Sequence, residues 1–465
     1  MAAFERHKLF LIRCISRLAE LFRKRSSSLR NNSEIGRLVR HTAWLSIAVV
    51  LSQIITVIAY MLLARLIGKE RFGEFTIIQS TANTVSSFAG LGLGLSATKL
   101  VAEFRDRDPS RAGSIFTLIC LLTVVWTGIL ALIVWIFAPE IATQLLGRGE
   151  LVDAVRIGAV LLFFTTILNV QNGALAGFES FDATAKTSML RGFLILPFLL
   201  AGAAVKEVDG AIFGFAAAGA IICAINFELL RRRCRLYSMK LSLRDALTML
   251  PKLVEFSVPA FLTNILPAPC LWFAQMLLIR QPDGYGELAI FTAAFQLRTG
   301  IILLPNLLSQ PLVPMLASHS KRTTASRATL MRAASLATLV VAIGLALIVC
   351  AFPKYLMMAY GRSFAGDTVA VTLLSVSAVA CSGSGPFAAA ITSSGKMWRL
   401  FLAYAVWGIA FLATTCLLLR AMHGAALAAA YVVADITQAV IIFTAYRHSE
   451  RELEASSQIS LSPII

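Results

Sequence analysis

Long apolar stretches alternate with short polar segments along almost the whole chain. Nine of these stretches contain no Asp, Glu, Lys or Arg, namely 41–64, 75–98, 112–139, 157–178, 210–227, 256–279, 333–353, 368–395 and 400–419. Three further apolar stretches each contain at least one charged residue: 186–205, 288–318 and 424–446. A helix that crosses the hydrocarbon core of a bilayer needs about 20 predominantly apolar residues. The pattern therefore predicts twelve transmembrane helices, because these stretches are too long to be strands.

The composition places the chain among all-α integral membrane proteins. Apolar residues make up 58% of the 465 residues and charged residues 14%, whereas an ordinary soluble domain has about 25% charged residues. A soluble fold has too little interior to bury so much apolar surface, and the same figures exclude a disordered chain. The eight cysteines show no CxxC spacing, so we predict small apolar side chains rather than disulfides or a metal site. We predict no cofactor.

The distribution of Lys and Arg predicts how the chain is oriented in the membrane. With an inside N-terminus, 31 of the 42 Lys and Arg residues fall in the segments on the cytoplasmic side and 10 in those on the other side. Positive charge accumulates in cytoplasmic loops, so we expect both termini in the cytoplasm. The same rule explains the net charge of +17 without invoking a nucleic acid partner.

Two basic segments lie outside the predicted spans. Residues 1–40 form a basic cytoplasmic tail in which Leu11, Ile15, Leu18 and Phe22 share one helical face, which predicts either a helix lying on the membrane surface or a frayed tail. Residues 231–250 form a basic linker between an N-terminal lobe at 41–230 and a C-terminal lobe at 251–447, and 448–465 form the second tail. The linker either binds anionic lipid headgroups or only fixes the orientation of the chain.

An internal repeat relates the two halves of the chain. Met61-Leu62-Leu63 recurs 215 residues later, and Phe72-Gly73-Glu74-Phe75 recurs 213 residues later as Tyr285-Gly286-Glu287-Leu288. The copies begin six spans apart, so both halves cross the membrane in the same direction. Such halves are related by a pseudo-two-fold axis along the membrane normal, and a substrate path usually lies between them.

The repeated segments carry a family resemblance. The stretch 63–68, followed by Phe72-Gly73-Glu74-Phe75, resembles the opening signature of polysaccharide-biosynthesis flippases, which share a superfamily with multidrug exporters and the lipid II flippase. Ser257-Val258-Pro259 and Ser394-Gly395-Lys396 fit the same pattern. The resemblance covers about residues 36–446. It implies two six-helix lobes around a central cavity and a lipid-pyrophosphate-linked oligosaccharide as the cargo.

Arg298 is the strongest candidate for a binding residue. It lies 13 residues beyond Tyr285, or roughly 20 Å along a helix, which is deep in the hydrocarbon. A guanidinium there needs a partner or a wet cavity, and its planar fork suits a pyrophosphate or a sugar carboxylate. A structural salt bridge or a side chain that reaches for the interface is the alternative.

Asp435 and several amides complete the set of candidate binding residues. Asp435 lies in the last span, where a carboxylate binds a coupling cation or proton, bonds sugar hydroxyls, or pairs with Arg298; these alternatives remain open. Gln53, Asn83 and Asn264 lie in other spans. Amides at such depth either contact sugar or hold helices together.

Sequence patterns of enzymes are absent. The chain has no GxxxxGK[ST], HExxH or GxSxG motif, and its loops leave no room for a soluble catalytic domain. The resemblance, together with this absence, predicts a flippase that moves a lipid-linked oligosaccharide to the periplasmic leaflet of a bacterial inner membrane by alternating access. A multidrug or organic-cation antiporter of the same fold is the first alternative, and a membrane-embedded polysaccharide polymerase is the second. The expected partners are the cargo, membrane lipids, a coupling H⁺ or Na⁺ and other polysaccharide assembly proteins.

Overall fold

The protein is described by a computed structural model that covers residues 33–239, 253, 261, 265–309, 324–366, 368–394 and 397–459. Helices dominate these ranges, which contain no strand. The long helices, numbered in chain order, are α1 Ser33–Ala89, α2 Leu93–Phe104, α3 Pro109–Ile136, α4 Val152–Gly177, α5 Phe181–Leu236, α6 Pro267–Ile279, α7 Gly284–Ser309, α8 Thr324–Ala351, α9 Val369–Ser393, α10 Met397–Met422 and α11 Gly424–Ile459.

Two of these helices each contain two membrane crossings. The apolar part of α1 has 44 residues and that of α5 has 55, whereas about 20 residues suffice for one crossing. The backbone leaves the helical conformation at Gly68 in α1 and at Lys206 and Glu207 in α5. The chain reverses direction at those points. Tyr60 donates to Gln79 across the α1 turn, and a Cβ atom at Gly202 would overlap the Gly210 carbonyl across the α5 turn.

The number of crossings agrees with the twelve that the sequence predicts. Nine helices in the described ranges are long and apolar enough to cross a membrane. Because α1 and α5 each cross twice, these nine supply eleven crossings. Helix α6 is the described end of the remaining span, whose first part includes residues outside the described ranges.

The helices form the two lobes that the repeat predicts. Helices α1 to α5 pack against one another in the N-terminal lobe, and α6 to α11 do so in the C-terminal lobe. Contacts between the lobes join α1 to α6 and α7. The predicted fold class, twelve transmembrane helices in two six-helix lobes, is thereby confirmed. Helix α5 continues six residues into the predicted linker, and α11 continues into the predicted C-terminal tail.

A further pair of turns shows the same duplication. Gly147-Arg148 lies between the third and fourth spans of the first lobe, and Gly361-Arg362 lies 214 residues later at the equivalent turn of the second lobe. Both glycines have positive φ, at 72° and 147°, which is the conformation that glycine adopts at low cost. The similarity of the halves therefore extends to turns that the sequence comparison did not use.

Close backbone contact between α2 and α4 makes the N-terminal lobe sensitive to small changes. A Cβ atom at Gly173 would overlap the carbonyl oxygen of Gly94, so the two helices approach as closely as small residues permit. Gly173→Ala is expected to lower the free energy of unfolding by about 1–3 kcal/mol through overpacking. Thermal unfolding in detergent measures this effect.

Gly344→Ala in α8 provides the matched control for this change. A Cβ atom at Gly344 meets no atom within 4 Å, so the variant is expected to unfold at or slightly above the temperature of the parent protein. Equal stability of the Gly173→Ala and Gly344→Ala variants would contradict the close helix contact.

Candidate functional site

Arg298 and Asp435 form an ion pair inside the C-terminal lobe. Arg298 Nη2 donates to Asp435 Oδ2 at 2.7 Å, and Arg298 Nε donates to Ser377 Oγ at 2.8 Å. Ser377 Oγ donates in turn to Asp435 Oδ2, and Trp407 Nε1 donates to Asp435 Oδ1 at 2.8 Å. The four side chains come from α7, α9, α10 and α11, so the cluster joins four helices.

Aromatic rings enclose the ion pair. The guanidinium carbon of Arg298 lies 4.6 Å from the centre of the Tyr431 ring and 5.5 Å from that of Phe295. Trp407 stacks on Phe411 at 5.2 Å, and both rings contact Tyr431. Arg298 is 8% exposed and Asp435 is 2% exposed. The pair is thus shielded from solvent.

The pairing was one of the alternatives that the sequence left open for both residues. A guanidinium at this depth needs a partner or a wet cavity, and the structure supplies Asp435, Ser377 and two aromatic rings. A role of Arg298 and Asp435 in binding cargo or a coupling ion stays a prediction. In the described part of the chain, no three His, Cys, Asp or Glu side chains lie close enough together to hold a metal ion.

The predicted amides do not converge on this pair. Gln53 lies in the N-terminal lobe, where it is one of the residues that line a cavity. Asn83 is exposed on α1, and its backbone carbonyl accepts a hydrogen bond from Ser87. Asn264 lies outside the described residues. The candidate residues from the sequence are therefore divided between the two lobes.

Arg191 is a polar residue of the N-terminal lobe that the sequence analysis did not single out. It lines a cavity of about 130 Å³ together with Val49, Ser52, Gln53, Leu168, Asn172, Thr187, Ser188 and Ile222. The count of cytoplasmic Lys and Arg residues from the sequence includes Arg191, but the residue lies ten residues inside α5, or about 15 Å along the helix. The argument from depth that selected Arg298 applies equally to Arg191 and would have found it.

The lobes meet across the pseudo-two-fold axis at one end of the bundle. We call this the Gly68 end, because it contains Gly68 and the connecting segments at 137–151, 206–207, 280–283, 352–366 and 423. There the two copies of the aromatic-Gly-Glu motif touch, since a Cβ atom at Gly73 would overlap the backbone carbonyl of Tyr285. Lys69 Nζ pairs with Asp283 Oδ2 at 3.0 Å, and Arg65 Nε donates to the carbonyl of Ala359 at 2.7 Å.

A cluster of charged side chains in the N-terminal lobe packs against this contact between the lobes. Glu74 has no exposed surface and pairs with Arg71 at 3.1 Å and with Arg148. Arg148 also pairs with Glu70 and lies 4.3 Å from the ring centre of Tyr285, whose hydroxyl donates to the Leu146 carbonyl at 2.6 Å. Burial disfavours the charge of Arg148, but the bonds and charges of both glutamates outweigh it and raise its pKa. The guanidinium therefore stays charged.

Deeper hydrogen bonds continue the contact between the lobes along α1 and α6. Trp272 Nε1 donates to Thr81 Oγ1 at 2.9 Å, and the Thr84 hydroxyl donates to the Ala268 carbonyl at 3.4 Å. The ring of Phe88 in α1 lies 6.5 Å from that of Phe261. The lobes are therefore joined at the Gly68 end and along α1 as far as Phe88.

Comparison with known proteins identifies the family. A family described as polysaccharide biosynthesis protein matches residues 38–320, which is more than half of the chain. The chain belongs to this family. It is also 24% identical over 377 residues to the EPS I polysaccharide export inner membrane protein EpsE of Ralstonia nicotianae, with 80% of this chain and 86% of that protein covered.

Solved structures of transporters share the fold. The inward-facing conformation of a multidrug resistance MATE family transporter of the MOP superfamily has a TM-score of 0.71 at 16% identity, covering 87% of this chain and 96% of the other. An outward-facing conformation of a transporter described in the same words has a TM-score of 0.62 at 15% identity, covering 89% and 96%. The protein is thus a multi-pass membrane protein with a transporter fold and belongs to a polysaccharide biosynthesis family.

Proposed function

We propose that the protein is a flippase that moves a lipid-pyrophosphate-linked oligosaccharide from the cytoplasmic to the periplasmic leaflet of a bacterial inner membrane. The observation that carries the proposal is the contact of the two lobes at the Gly68 end. In a protein of a polysaccharide biosynthesis family, two similar lobes that contact each other at the Gly68 end and along α1 provide the geometry for alternating access. Movement of the cargo between the leaflets makes and breaks no covalent bond, so in this proposal the protein acts as a transporter and not as an enzyme.

The Gly68 end corresponds to the periplasmic side in this proposal. Its loops carry 10 of the 42 Lys and Arg residues, against 31 assigned to the other side, and positive charge accumulates on the cytoplasmic side. The higher TM-score with the inward-facing MATE structure, 0.71 against 0.62 for the outward-facing one, supports the same orientation. In this conformation the cargo enters from the cytoplasmic leaflet. Release into the periplasmic leaflet requires the contacts of Gly73 and Lys69 with the other lobe to separate.

Multidrug or organic-cation antiport is the second candidate, because the solved structures with this fold include a multidrug resistance transporter. The charges of the N-terminal cavity disfavour it. Among the described residues that line the cavity, Arg191 is the charged one and none is a carboxylate. A cationic drug would be repelled there, whereas an oxyanion would be attracted.

A transport assay separates the two candidates. Purified protein in liposomes is expected to speed the movement of a fluorescent undecaprenyl-pyrophosphate-linked oligosaccharide across the bilayer, measured by quenching from outside. Ethidium accumulation under an imposed pH or Na⁺ gradient is expected to equal that of protein-free liposomes. Running the lipid assay with and without the same gradients tests whether H⁺ or Na⁺ drives transport.

The opposite result would overturn the proposal. Gradient-dependent ethidium transport without movement of the lipid-linked oligosaccharide would assign the protein to the antiporters. In cells, loss of the protein is expected to leave lipid-linked repeat units in the cytoplasmic leaflet. A polymerase in its place would instead leave single units accumulating in the periplasmic leaflet.

A further inference from the structure

The cavity around Arg191 combines one positive charge with several hydrogen-bond donors. Gln53, which carries an amide, and Ser188, which carries a hydroxyl, are among the residues that line it. The Asn172 amide oxygen accepts a hydrogen bond from Asn226 Nδ2 at 3.4 Å, which leaves the Asn172 amino group for the cavity. A volume of about 130 Å³ is several times the roughly 10–15 Å³ that one water molecule needs.

The charge of Arg191 is not compensated by a carboxylate among the described residues. The ionisable groups that lie near it are the Tyr60 phenol and the Cys223 thiol, and groups of both types are neutral at pH 7. Tyr60 is held by its own hydrogen bond to Gln79 at 2.8 Å. Arg298 in the other lobe is the opposite case, because it is bound to Asp435.

Arg191 lies deep in its membrane crossing, although no carboxylate of the described residues compensates its charge. The residue lies about 15 Å from the start of α5 and about 22 Å from the turn at Lys206, inside the first crossing of α5. Charged residues at such depth pair with a counterion or line a watery cavity. Because no protein carboxylate meets Arg191 in the described part of the chain, the cavity has room for an anion from outside.

We infer that the cavity of Arg191, Gln53, Asn172 and Ser188 binds an oxyanion of the cargo. This inference rests on the proposed function, and it names the part of the cargo that the N-terminal lobe holds. Two groups share the required chemistry, the pyrophosphate that joins the lipid to the sugar and the carboxylate of an acidic sugar. Arg191 supplies the charge and a planar set of N–H donors, and the amide and hydroxyl groups complete the contacts.

Binding measurements on purified protein in detergent test this inference and distinguish the two sources. Farnesyl pyrophosphate represents the lipid pyrophosphate, sodium D-glucuronate represents the acidic sugar, and D-glucose is the neutral control. At least one anionic probe is expected to bind, and Arg191→Gln is expected to weaken that binding about tenfold or more, because it removes hydrogen bonds to a charged group. Arg191→Lys is expected to restore part of the affinity. The probe that loses affinity identifies the source.

The controls separate a local effect from a failure to fold. Arg420→Gln removes an exposed arginine of α10 and is expected to bind the probes as the parent protein does. Gln53→Ala and Asn172→Ala keep the charge and are expected to weaken binding less than Arg191→Gln. Wild-type affinity of Arg191→Gln for both anions, or failure of both anions to bind the parent protein, would overturn the inference.

The liposome assay keeps this inference distinct from the proposed function. Transport of the lipid-linked oligosaccharide by the parent protein, with unchanged transport and binding in Arg191→Gln, would reject the oxyanion site and leave the flippase proposal intact. Absence of transport by the parent protein, with Arg191-dependent binding of an anion, would reject the flippase proposal and leave the site.

Discussion

Arg298→Ala is expected to lower the free energy of unfolding by about 3–5 kcal/mol, because it leaves the Asp435 carboxylate buried without its counterion. Asp435 is 2% exposed, and its other partners are the neutral Ser377 and Trp407 side chains. Asp435→Ala is expected to lower the free energy of unfolding by a similar amount, because it leaves the guanidinium of Arg298 buried without its counterion. Thermal unfolding in detergent and the amount of folded protein in membranes measure both effects.

A double variant separates the structural role of the pair from a role in transport. Arg298→Met combined with Asp435→Asn removes both charges, fills the space of the arginine stem and keeps a side-chain partner for Trp407 and Ser377. Apolar replacement of a buried pair is often neutral, so stability is expected to return to within about 1 kcal/mol of the parent protein. Because the pair lies within one lobe and is shielded by aromatic rings, transport is expected to return with stability.

The exposed pair between Arg232 and Glu228 is the matched control. Its two side chains are 2.8 Å apart and lie on the surface of α5, so Arg232→Met is expected to cost at most about 1 kcal/mol. A stable double variant of Arg298 and Asp435 that transports no cargo would contradict the structural assignment. It would support the cargo-binding or ion-binding role that the sequence predicts for the two residues.

Gly73→Ala is expected to slow transport about tenfold or more while each lobe still folds. The added Cβ atom would overlap the backbone of Tyr285, which belongs to the other lobe and has little freedom to move. A clash that costs about 1–3 kcal/mol in the conformation joined at the Gly68 end shifts the conformational balance by about tenfold per 1.4 kcal/mol. Transport of the lipid-linked oligosaccharide by liposomes measures the loss.

Labelling shows whether the lobes have separated. The Lys69 side chain is 22% exposed where it pairs with Asp283 of the other lobe. Lys69→Cys, in a protein whose native cysteines are replaced by serine, is expected to react faster with a membrane-impermeant maleimide when Gly73→Ala is also present. Gly300→Ala in α7 is the control, because a Cβ atom there meets nothing within 4 Å. Unchanged transport and labelling in Gly73→Ala would show that closure at the Gly68 end plays no part in the transport cycle.

The repeated Phe72-Gly73-Glu74 motif shows which features of the fold can be predicted from the sequence and which cannot. Its recurrence at Tyr285 predicts two parallel halves, and the structure confirms that arrangement. The sequence gives no reason for the glycine itself. Only the contact between the lobes explains it, because the two copies meet at the pseudo-two-fold axis, where a side chain at Gly73 has no room.

The number of spans and the fold class follow from the sequence alone. In lipid, each crossing must satisfy its own backbone hydrogen bonds and present about 20 apolar residues. Both conditions depend on neighbouring residues in the chain and are therefore visible as local patterns. The depth of Arg298 and Asp435 is predictable for the same reason.

The partners of the buried charges were decided by the tertiary structure. Arg298 and Asp435 are 137 residues apart, and two helices that both cross the membrane give no local sign of whether they are neighbours. Asp435 therefore had three open roles in the sequence, and packing of α7 against α9 and α11 placed the pair together. Arg191 has the same residue type and a similar depth, but the helices around it bring amides and hydroxyls in place of a carboxylate.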